Sequence, residues 1–268
     1  MKSPSPLFLA LIPLLFVSCA SFYYTAGPFG YENVPIPVMA EEEGQEDKVI
    51  SEMSLHLKGN KTIALHSEED GAAFGQAGIL YTVYSPKGES TRLIYSAGAS
   101  AWGGTTNIVY NERHENFSDG MLPGNFPFYG ASAQLALGLR YKNLMLGHGR
   151  FLLSGLFSWE DGPWARARRA LAALDTEDRV IYANNSPSPF SAQIIMEAGS
   201  EFQLGNRQTL YLGSEFGYGW PDATKIDISW ILYGTQLQFR SDRLTLYGVY
   251  RAFFPLNQSM NVGLIFNL

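Results

Sequence analysis

Residues 191–268 carry a two-residue alternation of apolar and polar side chains that runs almost to the last residue. Ala192, Ile194, Met196, Ala198, Phe202 and Leu204 fall on one side of such a run, and Gln193, Glu197, Gly199, Glu201 and Gln203 on the other. After the turn residues Gly205-Asn206-Arg207, Leu210, Leu212, Phe216, Tyr218 and Trp220 alternate with Thr209, Gly213, Glu215, Gly217 and Gly219. Ser241-Asp242-Arg243 marks another tight turn, and Met260, Val262, Leu264, Phe266 and Leu268 alternate with Asn261, Gly263 and Asn267. Side chains point to opposite faces along a strand, so each run is a β-strand with one oily and one wet face.

A soluble barrel also has two such faces, turned the other way. Three features predict a bilayer instead. The runs are longer than the ~5–6 residues of soluble strands and reach the ~9–11 needed to cross. The polar face is Gly, Ser, Thr and Gln with isolated charges, whereas a solvated surface wants roughly a quarter to a third charged residues and this chain has 16% overall. The oily face is tipped with Tyr, Phe and Trp, as an interfacial girdle would be. Ending in strand register, the chain resembles outer-membrane barrels.

The expected fold is all-β: a transmembrane antiparallel up-and-down β-barrel of about ten strands, near 49–58, 72–85, 91–107, 126–141, 144–159, 191–204, 208–220, 227–240, 243–253 and 259–268. Short connections alternate with longer ones near 59–71, 108–125, 160–190 and 221–226. Outer-membrane barrels have short periplasmic turns and longer outer loops, so an even count brings both barrel ends to the periplasm. In the run 126–141, Tyr129, Leu135, Leu137, Leu139 and Tyr141 are read as lipid-facing, and Phe128, Ser132, Gln134 and Arg140 as inward. The partner run sends Phe151, Leu153, Phe157 and Trp159 out, and His148, Arg150 and Ser154 in.

Three segments are expected. Residues 1–18 read as a signal peptide, with Lys2 ahead of the apolar stretch 7–17. Phe16-Val17-Ser18-Cys19 resembles a bacterial lipoprotein processing box, with Phe16 in place of the usual Leu. The resemblance implies fatty acylation (palmitate) of Cys19, the sole cysteine. Residues 19–48 read as a lipid-anchored periplasmic tether, broken by Pro28, Pro35 and Pro37 and self-repelling over the acidic stretch 41–47. The barrel is 49–268. Lipidated Cys, a segment with Val34-Pro35-Ile36-Pro37, an acidic patch and then a barrel together look like outer-membrane barrel lipoproteins of Gram-negative bacteria. That resemblance implies location and fold, and no activity. The residues after Cys19, Ala20-Ser21-Phe22-Tyr23, are not the acidic run that can send such lipoproteins to the cell surface, so the anchor is expected on the periplasmic side.

Within the loop 160–190, Trp164, Ala167, Leu171 and Leu174 fall on one face at helical spacing after Asp161-Gly162-Pro163. A short helix over the barrel mouth is expected there. Arg166, Arg168 and Arg169 form a candidate site for lipopolysaccharide phosphates or another anion.

The net charge of −6 argues against a nucleic-acid surface. The histidines 56, 66, 114 and 148 show no metal-ligand spacing, and no phosphate-loop or dinucleotide motif implies a cofactor. The chain resembles omptin proteases in strand number, but the rim residues Glu112, His114, Glu115, Asp119, Asp161 and Asp222 lack their paired carboxylates and Asp–His pair. Lipid A-modifying barrels use Ser and His on strands. Here His148 and Ser154 share one run but stand about 20 Å apart, too far for proton transfer. The sequence therefore points to an outer-membrane barrel with a structural, binding or assembly role, its partners being outer-membrane lipid and a larger protein complex. A narrow channel and an outer-membrane enzyme are the alternatives.

Turn counting places the inward charges. A turn at 205–207 sets Glu197 opposite Glu215, two carboxylates that need nearby cations. Arg150 and Arg251 lie at similar heights on nearby strands. A lumen belt of Arg150, Glu197, Glu215 and Arg251 is expected, closing the lumen rather than lining a pore.

Overall fold

The computed structural model describes residues 33–39, 47–86, 88, 91–108, 124–143, 147–166, 188–205, 207–220, 230–254 and 257–268, apart from positions 65 and 66. Ten strands form one closed antiparallel barrel in which each pairs with its sequence neighbours and β1 with β10. They are β1 Ile50–Ala64, β2 Ser67–Tyr84, β3 Thr91–Ile108, β4 Gly124–Asn143, β5 Gly147–Asp161, β6 Phe190–Gly205, β7 Gln208–Trp220, β8 Trp230–Ser241, β9 Leu244–Phe254 and β10 Asn257–Asn267.

The period-two pattern is realised as two surfaces. Leu135, Leu137, Phe157, Leu212, Val262 and Phe266 are among the large apolar residues exposed outside, while Gln134, Arg150, Glu197, Glu215, Arg251 and Asn261 are buried within. This is the reverse of a soluble barrel, and it is the surface of a protein that spans a bilayer. Exposed aromatics stand towards both ends of this surface: Tyr141 at one, and Tyr129 packed edge-on against Trp159 (6.3 Å) at the other.

The register fixes the shape. The ladder row Ile50, Tyr84, Ile94, Gly138, Leu152, Glu197, Glu215, Gly234, Arg251, Ser259 returns to β1 at Thr62, a shift of 62 − 50 = 12 residues. With strands about 4.8 Å apart and a rise of about 3.3 Å, that shift tilts them by about 40° and sets the backbone about 10 Å from the axis. The shortest strands have 11 residues. Tilted so, they rise about 28 Å, enough for an apolar band of ~25 Å.

One end of the barrel carries the connections 84–91, 143–147, 205–208 and 241–244 together with the start of β1 and the end of β10. At β8–β9 a two-residue turn has Asp242 at φ 50, and Arg207 stands at φ 62, the left-handed conformation that hairpin turns with strand-matching twist require. The segment 59–71, expected as an outer loop, is instead strand almost throughout. Gly59–Thr62 stay paired with β10, and Asn60 Nδ2 donates to Asn261 Oδ1 at 2.6 Å inside the wall. Asn60 and Thr62 are buried as lumen residues, whereas Gly59 and Lys61 face outward near the loop end of the barrel.

The expected helix appears as a single turn at 163–166, and residues 167–187 lie outside those described. Its Trp164 is buried with Ala72, Phe74, Trp102, Phe128 and Leu156, an aromatic cluster inside the loop end of the barrel. Gly130 makes room for it, since a Cβ there would strike the Trp102 ring.

Candidate functional site in the barrel lumen

A bore of this size is too wide for wall side chains alone. With about 5 Å of side chain on each side, a gap of about 10 Å remains, the width of one extended chain. Residues 33–39 lie in it, and each of them is buried. The expected tether is therefore, over this stretch, a lumen segment. Its prolines exclude regular pairing with a strand, but lumen side chains supply the hydrogen bonds that a strand would.

Gln134 on β4 serves Val34 as a neighbouring strand would: its Oε1 accepts from Val34 N and its Nε2 donates to Val34 O, both at 2.8 Å. Ile36 O accepts from Arg150 Nη1 (3.0 Å) and Gln238 Nε2 (3.2 Å). Tyr84 OH donates to Pro37 O at 2.8 Å, and Arg240 Nη1 to Val38 O at 2.6 Å. Asn33 Oδ1 accepts from Arg251 Nη2 at 2.6 Å. The apolar side chains have their own niches. Val34 packs with Leu80, Tyr247, Val249 and Ile265, and Ile36 and Met39 with Tyr84, Ile94, Ala136 and Leu152. Gln134 lies at mid-wall and Arg240 beside the β8–β9 turn, so the segment descends from mid-lumen to the turn end and then leads to β1.

The wall around it is charged in pairs. Glu197 and Glu215 are directly opposed in the ladder. The pairing near the turn is not the plain three-residue turn: the register shifts between Gln203 and Gly205, and the count comes out the same above it. Arg150 holds Glu197 (Nη2–Oε1 2.6 Å, Nε–Oε1 3.1 Å) from β5. Arg251 holds Glu215 in a two-pronged contact (Nε–Oε2 2.6 Å, Nη2–Oε1 2.9 Å) from β9. That second contact crosses β8 at Gly234, where a Cβ would lie 3.0 Å from Arg251 Cγ and 3.1 Å from Glu215 Oε2. Tyr211 supports the first pair, its OH donating to Glu197 Oε1 at 2.7 Å and its ring lying 4.0 Å beneath the Arg150 guanidinium. The pairs run along the wall, between near strands, and the segment lies within the bore they surround.

Two further pairs were not picked out from the sequence. Arg140 Nε lies 2.6 Å from Glu201 Oε2, and Arg240 grips Glu52 with both terminal nitrogens at 2.9 Å. Both members of the first had been read as inward-facing, and the β4–β5–β6 register brings them close. The second joins residues 188 positions apart through closure of the barrel.

The other candidates do not join this site. Cys19, Arg168 and Arg169 lie outside the described residues, and Arg166 is exposed on the helical turn. Of the rim residues, Asp161 is described and accepts from Tyr129 OH at 3.5 Å. Glu112, His114, Glu115, Asp119 and Asp222 lie outside the described residues, as does His66. Among the described residues no cluster of His, Cys, Asp and Glu could hold a metal.

The fold and lumen define a class, a closed ten-stranded transmembrane β-barrel with an internal peptide segment. No family model matches the chain, and no curated protein matches it. Among solved structures it is similar to the β-domain of the Bordetella autotransporter BrkA (10% identity, 81% of this chain and 98% of that one, TM-score 0.39). It is also similar to the translocator domain of the autotransporter NalP from Neisseria meningitidis (9%, 81% and 87%, 0.36) and to an outer membrane channel from Pseudomonas putida F1 (8%, 91% and 100%, 0.32). At TM-scores below 0.5 these likenesses assign no function.

Proposed function

We propose that the protein is a lipid-anchored barrel of the bacterial outer membrane whose lumen is closed by its own residues 33–39, and that it serves a structural, binding or assembly role. The observation that carries the closed lumen is the burial of this segment together with its hydrogen bonds to six wall residues: Gln134, Arg150, Gln238, Tyr84, Arg240 and Arg251. Only barrels and helices satisfy their backbone inside a bilayer, and the connections 108–124, 161–190 and 220–230 at one end are longer than any at the other, as in outer-membrane barrels. Acylation of Cys19 belongs to this reading. Purified protein in planar bilayers should show no steady conductance, and a steady open current from the full chain would overturn it.

A second reading is a narrow gated channel. It is favoured by one feature: the segment is held by side chains and not by strand pairing, so it can leave without opening the barrel wall. That reading expects discrete openings from the intact protein when a voltage is applied.

A further inference from the structure

The lumen meets residues 33–39 as a binding site meets a ligand. We propose that the wall is a receptor for an extended polypeptide with proline at alternate positions, of which Asn33–Met39 is the resident copy, and that the site accepts such a peptide in trans. The inference rests on the closed-lumen reading and goes further than it, because a plug need only fill space.

Three observations carry it. First, the site reads main chain. Among the described residues five bonds reach the segment's carbonyls, at Val34, Ile36 (two), Pro37 and Val38, and one reaches an N–H, that of Val34. The donors come from four strands, β2, β4, β5 and β8, so the site exists only in the closed barrel.

Second, the donors that the wall arginines turn to the segment match a peptide that carries more carbonyls than N–H groups. A closed barrel has spent its own backbone groups on strand pairing, so any N–H turned to the wall must find a side-chain acceptor. Most carboxylates lining this bore are already engaged by arginines: Glu197, Glu201, Glu215 and Glu52. Proline at 35 and 37 removes two N–H groups that would compete for what is left. Proline also holds the chain extended before it binds, which lowers the ordering cost, as in grooves that recognise proline-rich peptides.

Third, the flanking side chains are sorted. Val34 meets Leu80, Val249 and Ile265, whereas Ile36 and Met39 meet Ile94, Ala136 and Leu152. Selectivity for branched apolar residues ahead of each proline, at 34 and 36, follows.

The test uses a chain lacking residues 33–39, folded and checked by its heat-modifiable gel band, and a synthetic peptide of residues 33–39. The deletion should conduct steadily where the full chain does not. The peptide should bind it, by anisotropy of a labelled copy, and close the pore. A peptide with Pro35→Ala and Pro37→Ala should bind at least about tenfold more weakly, since each restored N–H must be stripped of water and the chain is no longer held extended before it binds. A deletion variant that conducts but neither binds nor is blocked by the peptide overturns the receptor while leaving the plug intact, and so does equal binding of the alanine peptide. A full chain that itself conducts steadily removes the plug reading instead. Should the deletion fail to fold, a protease site inserted at position 43 of the full chain is cut after folding. Labelled peptide should then exchange into the cut barrel and not into the uncut one, and absence of exchange overturns the proposal.

Discussion

Arg150→Met tests how far the lumen depends on paired charge. Arg150 is 1% exposed, and it makes two contacts to Glu197 Oε1, one to Ile36 O, and a stacking contact with Tyr211. Methionine keeps much of the volume and removes every one of these polar contacts. Glu197 is then left buried, directly opposite Glu215, with Tyr211 OH as a remaining donor. Breaking a buried pair from one side costs about 3–5 kcal/mol, chiefly because a charge stays behind without its counterion. Glu197→Gln should cost less, because Arg150 keeps the Ile36 carbonyl and has Glu201 Oε1 at 3.9 Å. The double variant removes both charges and should be more stable than Arg150→Met alone, with a coupling of about 1–3 kcal/mol. Urea titration of the barrel in lipid vesicles, followed by tryptophan fluorescence and by the folded band on a semi-native gel, measures all three. Arg150→Met within 1 kcal/mol of the parent, or a double variant less stable than Arg150→Met, would refute the reasoning.

Leu137→Arg puts a charge on the lipid face, where 51% of Leu137 is exposed, and should lower insertion stability by about 2–4 kcal/mol in the same titration. Gly234→Ala places a Cβ between Arg251 and Glu215 and should cost about 1–3 kcal/mol as overpacking. Growth with a clickable fatty acid should label the mature protein, and Cys19→Ser should abolish the label while the barrel still inserts, since its apolar belt does not depend on the acyl chains. Residues 33–39 run from mid-lumen towards the turn end, so a tag ahead of Asn33 should be reached from the loop side. Labelling of intact cells would show this, and it would move the anchor from the periplasmic leaflet expected of the signal to the outer one.

What the sequence revealed and what it hid divide along a physical line. Strand facing was legible because it is local. A two-residue period sorts Leu137 from Gln134 with no knowledge of neighbours, and hairpin counting carries that sorting across one turn, as far as Glu197 opposite Glu215. Pairing across the closure was not legible. Arg240 meets Glu52 because ten strands bend into a ring, and nothing near either residue announces it. The stretch Gly59–Thr62 misled because Gly, Asn and Lys in sequence suggest a loop, while in a barrel Asn60 and Thr62 are the expected lumen lining and the outward Gly59 and Lys61 stand near the loop end. Residues 33–39 misled more deeply. Proline excludes strand pairing, and outside a barrel that argues for a linker. Inside one, the bonding that proline cannot enter is replaced by Gln134, Arg150, Tyr84, Gln238 and Arg240, all remote in sequence.

The charged belt and the lumen segment are one network rather than a wall and its filling. Arg150 divides its donors between Glu197 and the Ile36 carbonyl, Arg251 between Glu215 and Asn33, and Arg240 between Glu52 and the Val38 carbonyl. In each case the carboxylate orients a guanidinium whose spare N–H groups face the bore. A carboxylate ring without arginines would repel itself, and arginines without carboxylates would be buried unpaired, costs that neither half escapes alone. Together they present fixed donors to a carbonyl-bearing chain, and the planar guanidinium can do so while still gripping its acid. A lysine in place of any of the three keeps the charge but loses that division of labour. The lumen is therefore arranged for a peptide backbone along the axis, and the ion pairs are what make the wall able to hold one.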